Sequence, residues 1–87
     1  MQEIKTVLTE TLFTSVCKLG YFTYGTGYTR TDVYFNKNDI KTLASGEILS
    51  KVENGIEFKF ALQDIGIDLI KGIIQRSPLF ADLYYEL

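Results

Sequence analysis

Eighty-seven residues, 46% of them apolar and 23% charged, suffice for one folded domain over residues 1–87 and are too rich in Ile, Leu, Phe and Tyr for a disordered chain. A net charge of −2, from nine basic and eleven acidic residues, argues against a partner chosen by long-range charge, nucleic acid first among them. Histidine is absent and Cys17 is the single cysteine, which removes Ser-His and Cys-His nucleophile pairs, a zinc cluster and any intrachain disulfide.

Residues 3–19 read as a helix. Ile4, Leu8, Leu12, Val16 and Leu19 recur at helical spacing, and Gly20 suits the C-terminal cap. Thr6, Thr9, Thr11 and Thr14 are poor helix formers, so packing must do much of the stabilising. Phe13 and Cys17 form a second row beside the Leu8–Leu12 stripe, which suggests either a wide buried face or contact with another chain.

Residues 20–31 interleave Tyr, Phe and Thr with Gly25 and Gly27, the pattern of a β-hairpin with Gly25-Thr26-Gly27 at its tip. Its second strand runs on through Asp32, Val33, Tyr34 and Phe35. There Thr29, Thr31, Val33 and Phe35 share one face, and Tyr28, Arg30, Asp32 and Tyr34 share the other. Residues 36–39 form a turn into a short helix, with Asn38 as N-cap, Ile40, Leu43 and Ala44 as its apolar side and Gly46 after its end.

Residues 47–62 carry the clearest local signal. Asn54-Gly55 marks a tight turn, after which Ile56, Phe58, Phe60 and Leu62 alternate with Glu57, Lys59 and Ala61. Residues 64–76 read as a second long helix. Its apolar arc, Ile65, Ile67, Leu69, Ile70, Ile73 and Ile74, is wide enough to meet more than one layer, and Gly66 lies on that apolar side. Ser77-Pro78 restarts the chain into a final amphipathic turn through Leu79, Phe80, Leu83, Tyr84 and Leu87. The expected fold is therefore α+β: an N-terminal helix, an antiparallel sheet of about four strands with a short inserted helix, and two C-terminal helices packed on one sheet face.

Few groups suggest chemistry. Gly25-Thr26-Gly27 begins a dinucleotide fingerprint, but Arg30 stands where its third glycine belongs, so no cofactor is expected. Asp64 and Asp68 suit the positive end of a helix better than a metal ion, and no metal site is expected. Cys17 among apolar neighbours reads as a small buried hydrophobe.

The aromatic cluster remains. Tyr21, Phe22, Tyr24 and Tyr28 crowd a glycine turn with Arg30 close behind, and Tyr and Arg often anchor interfaces. Those rings either fill the sheet core or form a binding surface.

The expectation is a small non-catalytic protein that regulates or inhibits a larger protein by covering its surface. Tyr21, Tyr24, Tyr28, Arg30 and Tyr85 would carry the contact. A second reading is a structural or assembly subunit that works as a homo-oligomer through Phe13, Cys17, Ile67, Ile70 and Ile74. A small nucleic-acid-binding module is the least favoured, because the lysines and arginines are spread along all elements. A homodimer is expected under either of the first two readings.

The residue bias toward Ile, Lys, Asn, Phe and Tyr suggests an AT-rich coding sequence of the kind found in phage and mobile elements and also in low-GC bacteria. The opening decapeptide lacks signal-peptide character, and no apolar run approaches the ~20 residues of a membrane span. A cytoplasmic location, that of a host if the gene belongs to a phage, follows as an expectation.

Overall fold

A computed structural model describes residues 1–87. The chain is α+β and begins with a strand, not a helix. Strand β1 spans Gln2–Leu8, and helix α1 follows at Glu10–Leu19. Ile4 and Leu8 stand four residues apart, a spacing that fits one face of a helix and one face of a strand equally well. The decision falls at Thr9, whose extended backbone and side-chain hydroxyl, accepting from the Leu12 amide, start the helix there. With Leu8 in a strand, the buried side of α1 is Phe13, Val16 and Cys17, while Leu12 and Leu19 stay largely exposed. Gly20, left-handed at φ 86°, closes α1 by donating a hydrogen bond from its amide to the Val16 carbonyl.

Strands β2 (Tyr21–Tyr24) and β3 (Thr31–Tyr34) form an antiparallel hairpin. Helix α2 (Lys37–Ala44) opens with a reciprocal cap. The Asn36 side chain accepts from the Asp39 amide, and the Asp39 carboxylate accepts from the Asn36 amide. The N-cap is thus Asn36, two residues before the expected Asn38, because only Asn36 has an acidic residue at the third helical position. Asp39 also takes an ion pair from Lys51 on β4 at 2.7 Å, which ties α2 to the sheet.

Strands β4 (Leu49–Glu53) and β5 (Ile56–Leu62) form the second hairpin through Asn54 and Gly55, both at positive φ (50° and 73°). Two left-handed residues in a two-residue loop match the twist of the flanking strands. β5 is then flanked on its other edge by β1, running parallel in the register Ile4–Phe58 and Leu8–Leu62. The expected four-stranded antiparallel sheet is therefore a mixed three-stranded sheet of order β1-β5-β4 plus the separate β2–β3 pair.

The registers sort the three-stranded sheet into two faces. Ile4, Leu8, Ile56, Phe58, Phe60, Leu62 and Leu49 point inward, and Glu3, Lys5, Val7, Glu57, Lys59, Ala61, Ser50 and Val52 point outward, where no other element covers them. Against the inner face lie the β2–β3 hairpin and the helices, in one apolar cluster that includes Phe13, Val33, Leu43, Phe58, Phe60, Ile74 and Leu83.

Helix α3 spans Ile67–Gln75, shorter than the 64–76 read from periodicity. Gly66, at φ 87°, is its N-cap and not a position on its apolar side. Ser77 then joins α3 to the C-terminal segment. Its buried hydroxyl donates to the Cys17 carbonyl and accepts from the Phe80 amide, so it pins this segment to the end of α1. A 3-10 helix at Ala81–Glu86 ends the chain in place of a second α-helix.

Candidate functional site

The β2–β3 hairpin answers whether its aromatics are core or surface: they are both, by parity. Cross-strand neighbours Phe22–Val33 and Tyr24–Thr31 face the sheet, and Tyr21–Tyr34 and Thr23–Asp32 face away from it. On the inner side Phe22 meets Phe60 edge-on at 5.5 Å, and Tyr24 meets Phe58 the same way at 5.5 Å. On the outer side the Tyr21 and Tyr34 rings lie 5.4 Å apart, and Tyr34 keeps 62% of its surface open to solvent.

Beside the tyrosines runs a polar frame. Arg30 donates two hydrogen bonds to Asp32, from Nε at 3.0 Å and from a terminal nitrogen at 3.3 Å. Thr23 donates a third to the same carboxylate at 2.9 Å. These bonds, Arg30's first, hold the Asp32 carboxyl below its ordinary value, and Asp32 holds the Arg30 guanidinium above its own. The ion pair thus orients the guanidinium on the outer face beside Tyr21, where it stays half exposed.

The tip is a 3-10 turn, Gly27–Thr29, closed by the Thr29 amide and hydroxyl on the Thr26 carbonyl. Gly25 makes that closure possible, since a Cβ there would stand 2.7 Å from the Thr29 carbonyl oxygen. The turn leaves Tyr28 fully exposed.

Of the residues expected to hold a partner, the structure brings Tyr21, Arg30 and Tyr28 onto the outside of one hairpin. It turns Tyr24 inward onto Phe58, so Tyr24 is a core contact and not a surface one. Tyr85 is exposed too, but on the C-terminal 3-10 helix, packed against Tyr84. Ion pairs Lys37–Asp82 and Lys41–Glu86 tie that helix to α2, and no hydrogen bond links it to the hairpin. Tyr34 joins Tyr21, Arg30 and Tyr28 on the outer face, and its strand parity with Arg30 and Asp32 is the sequence signal for it.

The residues expected at an oligomer interface lie elsewhere. Phe13, Cys17, Ile70 and Ile74 are buried inside the chain's own core, and only Ile67 is half exposed. The second row of α1 is therefore the row that packs inward. Burial pushes the Cys17 thiol up to about 12, so it is protonated at neutral pH.

Ile67 borders an open cavity of about 340 Å³ between the end of α2 and the start of α3, lined by Leu43, Ala44, Leu62, Asp64 and Ile70. Of the two aspartates expected at the positive end of a helix, Asp68 sits in the first turn of α3 and Asp64 precedes the helix. No three His, Cys, Asp or Glu side chains converge as a metal site would need. No helix is long and apolar enough to cross a membrane.

No protein-family model, curated protein or solved structure matches this chain.

Proposed function

We propose that this chain is a non-catalytic binding protein that regulates or inhibits a partner protein by covering part of its surface. The outer face of the β2–β3 hairpin is the contact. One observation carries the reading: Tyr21, Tyr34 and Tyr28 stand on the exposed side of a two-stranded element whose other side is anchored in the core, with Arg30 fixed beside them by Asp32. Tyrosine gives a large rigid contact with few torsions to freeze, and a guanidinium held in place loses little freedom on binding. The absence of histidine and the protonated state of Cys17 leave little for catalysis, which supports the non-enzymatic reading.

The test is capture of a partner from a host lysate by the wild-type chain and by a Tyr28→Ala/Tyr34→Ala variant. Enrichment of one protein by the wild type, lost in the double variant and kept by Tyr85→Ala, is the expected outcome. Equal enrichment by the wild type and the hairpin variant would remove the hairpin from the reading.

A further inference from the structure

We propose that the free edge of β1 pairs antiparallel with β1 of a second copy of this chain, joining two sheets into one. β1 has a single neighbour, β5, so its other edge offers unpaired backbone groups. It is seven residues long and contains no proline, two respects in which a protected edge normally differs.

Which groups point outward is fixed by one bond. The Leu8 carbonyl accepts from the Gln63 amide on the β5 side. Backbone direction alternates along a strand, so Gln2, Ile4, Thr6 and Leu8 address β5, while the N–H and C=O of Glu3, Lys5 and Val7 address the open edge. A symmetric antiparallel pair must set these outward residues opposite one another.

The register centred on Lys5 overlaps the whole of Gln2–Leu8 but sets Lys5 against itself. Those centred on Ile4 and Thr6 come next, overlapping residues 2–6 and 4–8, and the Thr6 register sets Lys5 against Val7. Only the register centred on Ile4 sets Glu3 against Lys5 of the second copy, and does so twice. It also lays Gln2 against Thr6 and brings Met1 toward Val7.

The β1–β5 ladder adds a second reason. Within one chain Glu3 lies beside Glu57, and Lys5 beside Lys59. Like charges directly across a ladder are unfavourable. The one opposite-charge contact available inside the chain, Lys5 to Glu3 along the same strand at 3.8 Å, is solvent-exposed and weak. A second β1 supplies each of these residues with an opposite charge on its vacant flank. This inference uses a different element from the hairpin face, so either can fail without the other.

Sedimentation equilibrium of the whole chain is the test. The wild type forms a dimer. Lys5→Glu turns both cross-copy pairs into like charges and weakens the dimer about thirtyfold. The same change sets opposite charges across the ladder at Lys59, so thermal unfolding shows a monomer that is no less stable. The swap Glu3→Lys/Lys5→Glu restores the dimer. Oxidation of Ile4→Cys gives an interchain disulfide, since facing residues of a non-hydrogen-bonded pair have Cα atoms about 4.5 Å apart. Thr6→Cys gives none.

A wild-type chain that stays monomeric at concentrations on the order of a millimolar overturns the proposal. So does a dimer indifferent to Lys5→Glu, or one that the swap does not restore.

Discussion

β4 turns into β5 through two residues, Asn54 and Gly55, whereas β2 reaches β3 through six, residues 25–30. Both hairpins put alternate aromatic or aliphatic residues on the same core, and they meet where the Asn54 side-chain amide donates to the Thr31 hydroxyl at 3.2 Å. They differ in what the other face carries. Behind β4–β5 stand Glu57 and Lys59 with Ser50, Val52 and Ala61, the outer back of a sheet. Behind β2–β3 stand two tyrosines and an ion pair, with a third tyrosine at the tip. A short turn with one permitted geometry fixes register, and that is what the scaffold needs. A longer tip tolerates an exposed ring, and that is what a contact surface needs.

The strongest way to break this contrast is to remove the platform both hairpins share. Phe58 is fully buried, stacks 6.0 Å from Phe60 and receives the edge of Tyr24. Phe58→Ala is expected to cost about 3–5 kcal/mol in urea unfolding, a large part of the stability of a small domain. Tyr28→Ala, at the exposed tip, is expected to change it by about 0.5 kcal/mol or less. Similar losses from the two substitutions would mean that the tip is structural, and the division between scaffold and contact would fail.

One substitution made in both turns sharpens the contrast. Gly25 and Gly55 both hold positive φ, at 79° and 73°. At Gly55 an added methyl meets nothing within 4 Å, so Gly55→Ala carries backbone strain alone, about 1–2 kcal/mol. At Gly25 the methyl would also press on the Thr29 carbonyl oxygen, which belongs to backbone and cannot swing away. Gly25→Ala is expected to cost about 1 kcal/mol or more beyond Gly55→Ala. Urea midpoints of the two variants decide it, and an equal cost would show that the tip of β2–β3 rearranges freely.

The same contrast governs what the sequence reveals. Asn54-Gly55 and the alternation of residues 56–62 are local signals, and the turn and β5 lie where they place them, while β4 begins at Leu49 and not at residue 47. β1 carries no local signal of comparable strength, because its partner β5 is supplied from the far end of the chain. Ile4 and Leu8 fit either period, and of the four threonines that sit badly in a helix Thr6 is a strand residue and Thr9 a cap, while Thr11 and Thr14 do lie in α1. The α2 cap is misplaced by two residues because Asn36 and Asp39 cap each other, a reciprocity invisible from either residue alone.

At the candidate site, the faces of β3 follow from parity. Which face is buried does not follow, since it depends on Phe22 and Tyr24 docking against Phe60 and Phe58, some 34 or more residues away. The wide apolar arc of residues 65–74 looks like an interface in sequence. Much of it is covered within the chain, by α1 and the C-terminal segment.

The smallest expected effect tests how the outer face of β2–β3 is held. Asp32 is kept below its ordinary value by Arg30 and then by Thr23. A carboxyl whose value is depressed in the folded state contributes stability that is present above its unfolded value, near 4, and is lost as pH falls through the folded value. Asp32→Asn removes that contribution, so the variant should trail the wild type at pH 7 and converge with it as the medium is acidified below pH 4. Arg30 is exposed and Asp32 reaches solvent, so the gap at pH 7 should also shrink as salt is raised. Urea midpoints at pH 7 and pH 3, each at low and high salt, measure it. A gap at pH 7 that high salt leaves unchanged would assign the role of Asp32 to its second hydrogen-bond acceptor, which asparagine lacks, and not to its charge.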